Sequence, residues 1–243
     1  MTAQFKAKLA ARESVVVMNP DYPSAGLVEF IARLGVDAVM IDTEQGSPDV
    51  ETVEEMARAA RAAGLCALVR IFSPEPWVIE RYMFRGVHGI VVPRLDNAAE
   101  ARRVVENVRY CFPLDADKKI VVVQIETRNA VAELDEFLAI EGIDCLFIGS
   151  VDLSKSLGHR GDFHKPEVMA VLEETVERIA RAGKPAGMMV KEDDVAHWRS
   201  KGATFLYNHL NDYALIGARH FSAVVLGAVP GSRHGAKAPD RKS

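Results

Sequence analysis

The chain has 243 residues, 49% hydrophobic and 26% charged, the balance of a folded globular protein that can bury a sizeable core. Its net charge of −4 offers no basic footprint for nucleic acid or for an anionic membrane, and no apolar run is long enough to span a bilayer. Three cysteines, Cys66, Cys111 and Cys145, show no CxxC spacing, which argues against a disulfide framework and against a zinc site.

The opening stretch, MTAQFKAKLAARESVVVM, has no signal-peptide core, so a cytoplasmic location is expected. Residues 4–11 read as a short basic amphipathic lead-in, and 14–19 (SVVVMN) as a strand. A helix over 25–35 stops at Gly35, and a strand over 37–44 ends in the cluster Asp42, Glu44 and Gln45. Ser47-Pro48-Asp49 opens a helix that runs to about Ala63. Next come a strand over 66–72 with Arg70 inside it, a helix over 75–86, a strand over 88–96, and a helix over 97–110 capped by Asn97. Two apolar, β-branched segments follow, 121–128 and 144–158, separated by a helix over 130–142. The remaining elements are helix 165–183, strand 184–190, helix 192–202, strand 203–209 and helix 212–227. The tail 230–243 is small, basic and expected to be disordered, leaving 1–229 as one domain.

About eight strand–helix units in this length predict an α/β fold, a (β/α)8 TIM barrel. No Gly-rich dinucleotide or phosphate fingerprint follows any strand, which weakens an open Rossmann sheet. In a barrel the carboxyl ends of all strands share one face, so Asp42, Glu44, Arg70, Pro93, Glu126 and Asp152 should ring a single mouth. Glu126 and Asp152 follow successive strands, and an oxygen-only pair of this kind suits a hard divalent cation such as Mg2+ or Mn2+. The segment Gly149-Ser150-Val151-Asp152 runs into a helical turn whose first N–H groups can hold a carboxylate. Asp152 can equally serve as a cap for that turn, and Arg70 as half of an ion pair inside the barrel.

The segments IDTEQGSPDVETV, LVRIFS, GIVVPRLDNAAEARRVV, VVVQIET and GIDCLFIGSVDLSKSLG resemble, in this order, the HpcH/HpaI aldolase/citrate lyase family. More narrowly they are similar to its class II hydroxy-ketoacid (pyruvate) aldolases, from about Phe5 to about Leu226. The resemblance implies a (β/α)8 barrel that exchanges its last helix between subunits in a homohexamer, a trimer of dimers. It implies cleavage or condensation of a 4-hydroxy-2-oxoacid to pyruvate plus an aldehyde. Metal ligands would be Glu126 and Asp152. Arg70 would contact the keto oxygen, Gln124 would line the pocket, and backbone at Val151 and Asp152, with Gly149 and Ser150 beside it, would hold the carboxylate. Asp42 and Gln45 fall in the catalytic cluster.

Three positions depart from the family pattern. Gln45 stands where the family carries its general-base histidine, and glutamine carries no proton at pH 7. Phe84 stands where the acid that partners this histidine from a neighbouring subunit falls. Ser150 also replaces a common proline. Three readings therefore stay open: an aldolase using a water, a substrate group or a loop histidine (His159 or His164) as base; a base-free decarboxylase of an oxaloacetate-like acid; and a barrel that binds a 2-oxoacid or a protein partner without turnover. His88 lies before its strand, at the far end of a barrel, and His197, His209 and His220 are expected in core or surface roles. Trp77 and Phe84 are expected to pack in the core or at a subunit contact.

Overall fold

The computed structural model describes residues 1–227, so the expectation of a disordered tail at 230–243 lies outside the described residues. Eight parallel strands close into a barrel in chain order: β1 (Val15–Asn19), β2 (Ala38–Asp42), β3 (Cys66–Arg70), β4 (Gly89–Val92), β5 (Ile120–Ile125), β6 (Cys145–Ile148), β7 (Ala186–Met189) and β8 (Ala203–His209). The α-helices are α1 (Thr2–Ala10), α2 (Ala25–Ile31), α3 (Val50–Ala62), α4 (Pro76–Met83), α5 (Ala98–Cys111), α6 (Arg128–Ala132), α7 (Leu134–Leu138), α8 (Ser150–Ser156), α9 (Pro166–Arg181), α10 (Val195–Lys201) and α11 (Leu210–Val225).

Strand periodicity sorts the chain into two cores. Successive side chains of a strand point to opposite faces. Val15, Val17, Ala38, Met40, Cys66, Leu68, Ile120, Val122, Cys145, Phe147, Phe205 and Tyr207 fill the barrel interior. Their neighbours Val39, Ile41, Val69, Val121, Val123, Leu146, Ile148 and Leu206 belong to the larger core under the helices. The lead-in residues form α1, whose Phe5 and Leu9 are buried in the interior cluster. Phe5 meets Phe205 edge-on at 6.4 Å, so α1 plugs the bottom of the barrel.

The sequence-based boundaries differ from the structure where side chains turn back on the backbone. Asp49 caps α3 by accepting the Thr52 N–H at 2.8 Å, so that helix starts at Val50 and not at Ser47. The helix expected over 130–142 is two short ones meeting at Glu133, whose carboxylate accepts the Ala98 N–H at 2.9 Å and so caps α5 instead. Asp194 accepts the Lys191 N–H at 2.7 Å and delays α10 to Val195. Strand β4 stops at Val92, and Arg94 takes a left-handed φ of 61°. Arg70 ends its strand and does not sit inside it. Among the described residues no helix is long and apolar enough to cross a membrane.

Helix α11 buries none of its residues in the single chain, and Leu215, Phe221, Val225 and Leu226 are all more than half exposed. Trp77 is 66% exposed and so is no core residue. Phe84, at the end of α4, packs on Phe112 with ring centroids 5.3 Å apart and stays half exposed.

At the opposite end from the strand termini, His88 Nδ1 accepts the Ala67 N–H at 2.8 Å. Burial, together with the charges of Lys119 and Arg61, pushes its pKa down to about 4. An unfolded histidine titrates near 6.5, so between these values the unfolded chain binds the extra proton. The stabilisation is fully present above pH 6.5 and is lost as pH falls toward 4. Urea unfolding at pH 7 and pH 5 should show wild type losing about 2 kcal/mol more than His88→Gln, which keeps an acceptor without a titration. Equal losses in the two proteins would show that His88 is not the titrating group.

Candidate active site

The interior parity that buries the apolar layer carries polar residues to its upper rim. Counting by twos from Val17, Met40, Leu68, Val122, Phe147 and Tyr207 reaches Asn19, Asp42, Arg70, Gln124, Gly149 and His209. Strand pairing sets them side by side: Asp42 is opposite Arg70, and Asn19 opposite His209. One cavity of about 280 Å³ at this face is lined by Asp42, Gln45, Arg70, Gln124, Asp152 and His209, among others, and by the segment Gly149, Ser150 and Val151. A second cavity of about 190 Å³ adjoins it, and Asp42, Gln45 and His209 line both.

Arg70 and Asp42 form a two-pronged pair, Nε to Oδ1 at 2.9 Å and Nη2 to Oδ2 at 2.5 Å. Glu44 approaches the same Nε at 3.3 Å. Burial works to raise the Asp42 carboxyl, but the Arg70 hydrogen bonds and charge, with the N–H groups of Gln45 and Glu44, outweigh it and hold it below the usual carboxylate range. Arg70 is likewise held charged: burial opposes this, and the Asp42 contacts overcome it. Asp42 is thus the group that aims Arg70, while Arg70 Nη1 takes no partner among the described residues.

Glu126 lies just behind the cavity wall and is only 4% exposed. Its Oε1 accepts the Arg94 N–H at 2.5 Å, delivered by the left-handed backbone there, and its Oε2 accepts Gln124 Nε2 at 3.1 Å. Burial pushes the Glu126 carboxyl up to about 7; the Arg94 N–H opposes the rise, and the charges of Glu44 and Asp152 add to it. The Oε1 of Gln124 is buried without a partner. Asp152 is half exposed and its Oδ1 holds Lys155 at 2.8 Å. The buried Glu126 carboxylate, without a cationic partner among the described residues and bonded to Gln124 with its orphaned amide oxygen, forms together with the half-exposed Asp152 an all-oxygen donor set that fits a hard divalent cation. No group of three or more acidic, histidine or cysteine side chains converges to hold an ion among the described residues, so substrate or water oxygens would complete the shell.

A family model described as HpcH/HpaI aldolase/citrate lyase matches residues 22–215. The chain belongs to that family. The pyruvate aldolase of Rhizobium etli is 32% identical over 214 residues, covering 79% of this chain and 84% of that protein. The hydroxypyruvate/pyruvate aldolase of Roseovarius nubinhibens is 29% identical, covering 84% and 89%. Among solved structures, a family protein from Burkholderia cenocepacia J2315 superposes with a TM-score of 0.83 at 24% identity, covering 92% of this chain and 99% of that one, and so attests the fold.

Gln45, which the resemblance sets at the position expected to hold a histidine base, is exposed and lines both cavities. Neither loop histidine takes its place. His159 faces Glu167 at 3.5 Å and exposed His164 stacks on Phe163 at 4.2 Å, and neither lines a cavity here. His197 pairs with Glu173 on the surface, and His220 is exposed on α11. His209, expected in a core or surface role, is instead the last residue of β8 and sits in both cavity walls. Its parity with Phe205 and Tyr207 is a signal in the sequence that would have placed it at the mouth.

Proposed function

We propose that this enzyme of the aldehyde-lyase type cleaves or forms a 4-hydroxy-2-oxoacid, with pyruvate or a close 2-oxoacid as one product and an aldehyde as the other. The observation that carries this reading is that Arg70, Gln124 with its partnerless Oε1, and Asp152 line one cavity, while the buried Glu126 carboxylate lies behind its wall against Gln124. Glu126 and Asp152 would hold Mg2+ or Mn2+, which when bound supplies a fixed positive charge to the keto and carboxylate oxygens of the substrate. Arg70 stabilises the negative charge that develops on the keto oxygen, and Asp42 keeps its guanidinium in place before substrate arrives. The first-turn N–H groups of α8, at Val151 and Asp152, lack acceptors within the helix and suit the substrate carboxylate, with Gly149 and Ser150 leading the chain in. Gln45 orients water or a substrate hydroxyl without taking a proton.

The unburied apolar side of α11 supports exchange of this helix with a second subunit, within a homohexamer built as a trimer of dimers. Its partners would then be small 2-oxoacids and aldehydes, with no nucleic acid or membrane, and its location the cytoplasm. Glutamine at the base position favours one further reading, a decarboxylase of an oxaloacetate-like acid, because loss of CO2 leaves the electron pair behind without a base.

The test is pyruvate release from a panel of 4-hydroxy-2-oxoacids beside oxaloacetate decarboxylation, each with Mg2+, with Mn2+ and with a chelator. Metal-dependent aldol cleavage is expected. Decarboxylation alone would replace the aldolase with the second reading, and activity that survives thorough chelation would remove the metal.

A further inference from the structure

We infer that His209, held by Asp21, is the proton-transferring base of the reaction proposed above, taking over the role that Gln45 cannot perform. The pair is assembled from opposite ends of the chain. Asp21 follows β1 in a left-handed conformation, φ 63°, which aspartate tolerates better than most residues. Its N–H donates to Asn19 Oδ1 at 2.9 Å, and Asn19 Nδ2 in turn donates to the Tyr207 hydroxyl at 2.9 Å. One Asp21 carboxylate oxygen meets His209 Nδ1 at 2.5 Å and the other accepts the Asn211 N–H at 2.7 Å. Asp21 is mostly buried, its side chain 12% exposed, while the His209 side chain is 31% exposed.

A carboxylate on Nδ1 places the proton there and leaves Nε2 as the free acceptor. Nε2 has no partner among the described residues, and the ring lines both the cavity holding Arg70 and the one beside it. Tyr207 packs edge-on against the imidazole at 5.1 Å and, with its hydroxyl pushed up to about 12 by burial, stays neutral. The charged groups around His209 are Asp21 from the β1–α2 connection and, across the cavity, Asp42, Arg70, Asp152 and Lys155.

In the cleavage direction, Nε2 takes the proton of the substrate C4 hydroxyl. The C4–O bond becomes a carbonyl as the C3–C4 bond breaks, and that electron pair forms the enolate of the 2-oxoacid. The imidazolium then returns the proton to C3, giving pyruvate and a neutral base. Nothing is oxidised and no co-reactant is needed. Asp21 acts through His209 and is a positioning residue.

The proposal rests on the aldolase reading, so two activities are measured with Mn2+ present. One is cleavage of the best 4-hydroxy-2-oxoacid, and the other is exchange of the pyruvate methyl protons in D2O by NMR, which needs a base but no aldehyde. In His209→Gln both should fall about a hundredfold. Oxaloacetate decarboxylation serves as reference, and the ratio of cleavage to decarboxylation should fall by a similar factor. Asp21→Asn keeps a hydrogen-bonding side chain but loses the charge that fixes the ring tautomer, so it should lower kcat for cleavage about tenfold with KM little changed, while decarboxylation is unaffected. If His209→Gln keeps cleavage and exchange, or loses decarboxylation in the same proportion, the assignment is wrong while the aldolase reading stands. If wild type shows neither cleavage nor exchange, both fall together.

Discussion

Gly149→Ala is expected to abolish binding of the divalent cation proposed for Glu126 and Asp152 and to cut turnover at least a hundredfold while leaving the barrel folded. A Cβ at this position would lie 2.5 Å from Glu126 Oε2, 2.8 Å from Glu126 Cβ and 3.4 Å from Gln124 Nε2. Real side chains do not approach so closely, and the neighbour here has nowhere to retreat. Glu126 is buried and pinned by the Arg94 N–H on one side and Gln124 on the other. The carboxylate would have to swing out of its seat, and a displacement of an ångström at a reacting centre costs about a hundredfold in rate. Glu126→Gln is the companion variant: it removes the charge without overpacking and should lose the cation equally. Mn2+ titration by calorimetry or electron paramagnetic resonance reads the first effect, and kcat the second. Unchanged Mn2+ affinity in both variants would move the metal away from this position.

Arg70 is the other position where a single change should be severe. Arg70→Lys keeps the charge, yet a lysine cannot bridge both Asp42 oxygens and still offer a donor to the substrate. Loss of a donor aimed at a developing oxyanion costs about a hundredfold to a thousandfold in kcat. Arg70→Met goes further, because it leaves Asp42 as a buried charge with no cationic partner, held only by the Glu44 and Gln45 N–H groups. Breaking such a pair costs about 3 to 5 kcal/mol, so this variant should unfold at clearly lower urea as well as being inactive. In Asp42→Asn the guanidinium loses its anchor but not its charge, and a smaller fall in kcat is expected. Near-normal kcat in Arg70→Lys would show that the guanidinium fork is not directed at substrate. Equal stability of Arg70→Met and wild type would show that the pair is solvated in solution.

The sequence by itself determined the repeat of strand and helix, the closed barrel and the residues that crown its strands. Each of these follows from local periodicity: a two-residue alternation over four to seven residues fixes which side chains face inward, and in parallel strands every inward carboxyl end meets at one face. The acidic ends of β2 and β5, and Arg70 on β3, were legible in that way. Tertiary structure decided the rest. Capping by Glu133 and Asp194 relocated helix boundaries, because the competing partners lie on other elements or on a neighbouring turn. The plug formed by Phe5 and Leu9 needed the barrel before it had anything to fill. The pairing of Asp21 with His209 spans 188 positions of the chain and exists only because closure sets β8 beside β1. No local pattern announces such a pair, since its geometry is set by the pairing of the first strand with the last.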